Sequence, residues 1–144
     1  MTFPNRCSVS IDGVEIQALA AKFELRSSRD QNGHPEMGIC QTVICAWFDL
    51  HDRRNLPFST YTALFQLANR PTVDKIVPME VRFWDDESHA DVVAAFSFDG
   101  WISVFSTESP RTDEATLGAD NHRLYVELEP KVDDVVYKRI EVTN

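Results

Sequence analysis

Residues 7–16 read CSVSIDGVEI, and the order of residue types in that stretch points to a β protein. Cys7, Val9 and Ile11 are apolar on one parity, Ser8 and Ser10 are polar on the other, and Val14 and Ile16 resume the apolar side beyond Asp12-Gly13. Successive side chains of a strand point to opposite faces, so this alternation marks a strand with one buried face. Asp-Gly between two such runs supplies the positive φ angles of a tight two-residue hairpin. Parity then changes. Leu19, Ala21, Phe23 and Leu25 carry the apolar side that Val14 and Ile16 carried before. A one-residue change of face requires a bulge or a bend, the device by which a strand turns a corner in a barrel.

Outward from this stretch, residues 26–36 (RSSRDQNGHPE) form the first long polar break. Asn32-Gly33 and His34-Pro35 are turn dipeptides, which places an exposed loop or a long hairpin tip here. A long strand is predicted from about Met37 to Leu50. Its end, Val43 to Phe48, is apolar on both faces and is expected to be covered on both sides. One helix is predicted over about 58–69, where Phe58, Tyr61, Leu64, Phe65 and Ala68 recur at three- and four-residue steps. Ser59 is its expected N-cap, and Arg70-Pro71 supplies a C-terminal cation and then a stop.

The remainder alternates again. Val77, Met79, Val81 and Phe83 form one run, with Pro78 marking an edge position or an irregular entry. Asp85 to Ser88 reads as a polar turn, and Val92, Ala94, Phe96 and Phe98 as the returning strand. Asp99-Gly100 precedes a further segment, Trp101 to Phe105. Residues 108–122 are polar and loop-like, Leu124, Val126 and Leu128 alternate cleanly, and Val136, Ile140 and Val142 make a last strand. The expected architecture is a single domain over 1–144, mainly β. It is a small β-barrel of two packed antiparallel sheets with one α-helix at about 58–69.

Composition narrows the function classes. The 144 residues carry 14 Lys and Arg against 23 Asp and Glu, a net charge of −9. Nucleic-acid binders rely on basic side chains to displace phosphate counterions, so no nucleic-acid partner is expected. The same balance disfavours an anionic membrane surface. No apolar run approaches the ~20 residues of a membrane-spanning helix. Residues 1–6 lack the apolar stretch of a secretory leader, so the chain is expected to be cytoplasmic when made. Cys7, Cys40 and Cys45 are expected as thiols of a reducing compartment.

Catalytic and metal signatures are sparse, and no cofactor is expected. None of His34, His51, His89 and His122 has a second His or Cys at ligand spacing along an element. His51-Asp52 has the residue types of a general-base pair, but neighbours on a strand face opposite ways. Asp85-Asp86-Glu87 lacks the spaced oxygen ligands and the glycine of a calcium loop. Trp47, Phe83, Trp84, Phe96, Phe98, Trp101 and Phe105 stand at strand spacing and are expected mainly in the core. A small-molecule-binding β-barrel, with Trp47, Trp84 and Trp101 facing a cavity, is the alternative on these residues. A binding or structural role is favoured over an enzyme.

The order of features resembles the tube protein of type VI secretion systems, the Hcp family. The resemblance rests on RDQNGHPEM (residues 29–37), FSTYTALFQLAN (58–69), IVPMEVRFWDDESHADVVAAFSFDGWISVFSTES (76–109) and NHRLYVELEPKVDDVVYKRIEV (121–142). Asp30, Gly33 and Pro35 fit a D-x-x-G-x-P pattern of that family, and residues 98–105 fit its F-x-x-aromatic-(Ile/Val) stretch. A tail-tube relative from a phage or another contractile injection system shares this order and stays open. The resemblance implies a small barrel capped by one helix, six copies closing into a homohexameric ring, and rings stacking into a tube. It implies sheath and spike components of a contractile machine as partners, and effector proteins carried in the lumen. Export would then proceed through the apparatus itself, without a cleaved leader. The loop bearing Arg29, Asp30, Asn32, Gly33, His34 and Pro35 is the expected ring-stacking element.

Overall fold

The computed structural model describes residues 5–27, 29–34, 41–109, 121–131 and 139–142. The expected hairpin is present. Strands β1 (Cys7–Ile11) and β2 (Val14–Ala18) pair antiparallel from Ile11↔Val14 to Cys7↔Ala18. Asp12 and Gly13 take φ values of 52° and 85°, as a two-residue turn matched to strand twist requires. The parity change is a corner at Leu19. Ile16 and Ala18 are buried, β3 (Ala20–Arg26) then pairs with β4 (Gln41–Asp49), and Ala21 and Phe23 pack against the core. Leu19 and Leu25 stay 43% and 57% exposed, so the inward set is shorter than the sequence pattern.

Beyond α1 (Phe58–Ala68) the chain continues as β5 (Val77–Trp84), β6 (Val92–Glu108), β7 (Arg123–Pro130) and β8 (Arg139–Val142). These strands do not form two separate sheets. One antiparallel sheet runs in the order β2-β1-β5-β6-β7-β4-β3, with β8 pairing to β6 off that path. Its two ends, β2 and β3, are consecutive in the chain and joined through Leu19, whose N–H donates to the Trp47 carbonyl at 2.7 Å. No ladder joins them, so the barrel is an open, curled sheet.

A single long strand makes the curl possible. The 17 residues of β6 pair with β5 from Val92 to Gly100 and with β7 from Gly100 to Glu108. Asp99-Gly100, a turn signal in the sequence, lies inside this strand. The missing side chain serves close approach, because a Cβ at position 100 would collide with the Glu129 carbonyl. A register shift between Ile102 and Val104 then moves the inward parity from Phe98 and Ile102 to Phe105. Both halves line one core. Val9, Ile11, Met79, Val81 and Phe98 come from one half, and Ile44, Ala46, Phe48, Leu124, Val126 and Leu128 from the other.

Pro78 is not on an edge strand. It stands at the entry of β5, next to Met79↔Ile11, the last pair with β1, and its carbonyl accepts the Asp12 N–H at 2.9 Å. Of β4, the described part begins at Gln41, and residues 37–40 lie outside the described set. Its outward face carries Cys45, buried, and Trp47, half-buried against Tyr125 at 5.0 Å. Residues 110–120 and 132–138 also lie outside the described set, and with them most of the second loop and Val136.

Helix α1 buries Leu64 and packs Tyr61, Leu67 and Ala68 on the core, whereas Phe58 is 68% exposed. Its N-cap is Pro57, without a side-chain hydrogen bond, and Ser59 lies within the first turn. The last turn holds no cation. Arg70 sits past the Asn69 C-cap at φ 55°, a left-handed residue that ends the helix.

The turn before the helix also protects the sheet. Asn55 lies beside β2, and its amide accepts the Gln17 N–H and donates to the Gln17 carbonyl, both at 2.7 Å. One side chain therefore continues the ladder where β2 would offer an unpaired edge. Asn55→Ala is expected to cost about 1–3 kcal/mol, since it strands both backbone groups. Gly100→Ala is expected to cost about 1–3 kcal/mol through forced displacement at the β6–β7 contact. Urea denaturation of each variant measures both; a midpoint equal to that of the parent chain contradicts the assignment.

Candidate functional site

The loop expected to act in assembly is described from Arg29 to His34, and Pro35 lies outside the described residues. Its order comes from Asp30. The carboxylate accepts the N–H groups of Asn32 and His34, each at 2.9 Å, and the Asp30 N–H donates to the His34 carbonyl at 2.7 Å. Gly33, at φ 82°, donates its N–H to the Asp30 carbonyl at 3.1 Å. This is an Asx-type turn, in which a side chain replaces the backbone acceptor. Arg29, Asp30, Asn32, Gly33 and His34 are all exposed, so the structure presents a small, internally braced polar knob. It projects beyond the Arg26↔Gln41 pair, at one end of β4.

The other end of β4 gathers a different set. Asp49 pairs with Arg123 at the close of the β4–β7 ladder, and its carboxylate accepts the His51 N–H at 2.9 Å and the Asn121 amide at 3.2 Å. These bonds bring His51 and His122 together, with Nε2 of His51 3.0 Å from Nδ1 of His122 and the rings near-parallel. One ring nitrogen donates and the other accepts, the roles being set by the tautomers. Asp52 is not the partner of His51. Its carboxylate accepts the Asn55 N–H, and its carbonyl accepts that of Leu56. The two histidines, with Arg53, Leu56, Phe58 and Tyr61, line a cavity of about 390 Å³. Tyr61 is fixed there by a 2.8 Å hydrogen bond between its hydroxyl and that of Thr107. Sequence reading missed this pairing because His122 is 71 residues from His51 and only the β4–β7 register joins them.

The acidic β5–β6 turn is also braced internally. The Asp86 carboxylate accepts the Ser88 N–H at 2.9 Å and the Ser88 hydroxyl, and these bonds, the hydroxyl foremost, hold its carboxyl below the ordinary aspartate range. Glu87 is likewise held low, by a backbone N–H and by Arg6 at 3.3 Å. His89 closes the turn at φ 57°, its ring stacked on Trp84 with centroids 4.6 Å apart and its Nε2 2.7 Å from the Asn5 carbonyl. Among the described residues, no three His, Cys, Asp or Glu side chains gather closely enough to hold a metal ion.

The aromatic residues divide. Phe98 is fully buried, Phe83 and Phe105 pack on the core, and Phe96 stacks on Phe23 at 3.9 Å. The three tryptophans have separate surroundings. Trp47 meets Tyr125, Trp84 meets His89 and Arg82, and Trp101 stands opposite Glu129. Cys7 and Cys45 are buried free thiols, both pushed up by burial, and Cys40 lies outside the described residues. No helix among the described residues is long and apolar enough to cross a membrane.

The chain matches no protein-family model and no curated protein. Its fold does match solved structures. Hcp1 from Flavobacterium johnsoniae superposes with a TM-score of 0.60 at 10% identity, over 86% of this chain and 89% of that one. A type six secretion system protein gives 0.61 at 11% identity, over 87% and 78%. Hcp1 from Salmonella typhimurium gives 0.56 at 16% identity, over 86% and 80%. The chain therefore has the Hcp fold.

Two measurements test the local chemistry. With Cys40 replaced by serine, Ellman's reagent is expected to find no reactive thiol in the native protein and two after denaturation, because burial disfavours the thiolate. Rapid labelling of either native thiol contradicts this. Because the folded pKa of Asp86 is depressed, its stabilising contribution is full above the ordinary aspartate value of ~3.9 and is lost as pH falls through the folded value. Ser88→Ala is expected to raise the Asp86 midpoint in an NMR titration; an unmoved midpoint assigns the shift elsewhere.

Proposed function

We propose that this protein is a structural subunit of a type VI secretion inner tube. Six copies form a ring, rings stack into a tube, and a contractile sheath expels the tube together with its spike. The observation that carries this reading is the Hcp fold, shared over 86% of this chain and 89% of the Flavobacterium protein. The role is structural and non-enzymatic, and effector proteins travel in the lumen. The chain is made in the cytoplasm and leaves through the machine it helps to build, with no nucleic-acid partner and no membrane insertion.

Two physical features support it. The Asp30 hydrogen bonds brace the 30–34 turn internally, which lowers the conformational entropy that docking it would cost. Asn55 caps the β2 edge at Gln17, which works against uncontrolled edge-to-edge pairing there. Self-assembly then proceeds through defined surfaces.

Negative-stain microscopy of the purified full chain tests the reading. Six-fold rings and stacked tubes are expected, and monomers alone at high concentration contradict it. Replacing Asn32, Gly33, His34 and Pro35 by a short Gly-Ser turn is expected to leave single rings and abolish tubes. Unchanged tubes would remove the loop from the stacking contact.

A further inference from the structure

The histidine pocket and the acidic turn sit at opposite ends of the same strand. At one end of β6, Glu108 pairs with Arg123, next to His122. At the other, Val92 pairs with Trp84, next to Asp85. Seventeen residues at ~3.3 Å each give a contour of roughly 50 Å between them. Within one copy the two features belong to different regions of the surface.

Their chemistry is complementary. Among the described residues no carboxylate lines the pocket: Asp49 accepts hydrogen bonds from His51 and Asn121 and Asp52 accepts one from Asn55, while Arg53 lines the cavity with His51 and His122. Arg6, Lys22, Arg26 and Arg82 each hold an ion pair, and Arg53 is in none of these four. Phe58 stands on the rim 68% exposed. An available guanidinium beside an exposed aromatic ring, over a concave floor, has the makings of an interface anchor. In a chain of net charge −9, the acidic turn is the natural counterpart. Asp85 and Asp86 are exposed, and the turn is fixed by Asp86–Ser88 and by Asp85 N–H to the Asp91 carbonyl at 3.0 Å.

We propose that the pocket lined by His51, His122, Arg53 and Phe58 receives the acidic turn, Asp85 and Asp86 foremost, of a second copy of the chain. The contact is heterologous, a head of one copy against the tail of the next, and such contacts propagate into closed rings or open stacks. It rests on the self-assembling reading above and supplies that reading with a specific pair of surfaces.

Complementary variants of the full chain test it in sedimentation velocity. Arg53→Glu spoils the pocket and leaves the turn, whereas the double variant Asp85→Lys, Asp86→Lys spoils the turn and leaves the pocket. Each alone is expected to lose association about tenfold or more, and about 1 M salt, where the Debye length is ~3 Å, to weaken the parent chain likewise. An equal mixture of the two retains one intact pocket and one intact turn. It is expected to recover association, because the intact turn meets the intact pocket and the lysine-bearing turn meets the glutamate-bearing pocket. Near-ultraviolet circular dichroism identical to the parent chain establishes folding, and Arg53→Gln, expected to fall between Arg53→Glu and the parent, checks that charge is the cause. If the parent chain assembles and both variants assemble equally well, the proposed contact is overturned and the tube reading stands. If the parent chain and the mixture both remain monomeric, both are overturned.

Discussion

The fold depends on how closely β6 and β7 approach at Gly100. There the backbone of Glu129 occupies the space a side chain would fill, and β6 hands over its pairing from β5 to β7. Because the strand is unbroken at this point, one ladder carries both halves of the sheet, and the core needs no second independent sheet to close over it. The register shift at Ser103, just beyond, returns Phe105 to the interior, where Tyr61 and Phe65 of α1 meet it. Position 100 thus sets the path of β6, and the path of β6 sets where the helix rests.

Much of this was legible because the local and tertiary signals agree. Asp12-Gly13 demanded positive φ and obtained it, Leu124 to Leu128 alternated and are buried in alternation, and the helical stripe found the core through Leu64. The parity change before Ala21 read correctly as a corner. Where signals conflicted, the tertiary contact won. Asp99-Gly100 carries turn chemistry, but glycine serves close approach as well as turning, and only the position of Glu129 decides between them. Ser59 has cap chemistry, but Pro57 already holds the extended conformation that precedes the first turn. Two sheets were expected because nothing in a sequence distinguishes a 17-residue strand with a bulge from two strands joined by a turn.

The surface features were less legible, for a different reason. The Asp30 turn is local: one side chain, two amides and a glycine within five residues, all readable in order. The His51–His122 pair is not, since its members meet only when β4 and β7 register Asp49 against Arg123. The result is a chain whose Asp30 and Asp86 turns are braced by their own side chains and whose β2 edge is capped at Gln17 by Asn55.

Self-assembly into six-membered rings is the claim on which the functional account stands, and native mass spectrometry of the full chain addresses it most directly. The account predicts a dominant species of about six times the 16.4 kDa chain mass, together with its multiples. A spectrum holding only the single-chain mass at assembly concentrations would contradict it.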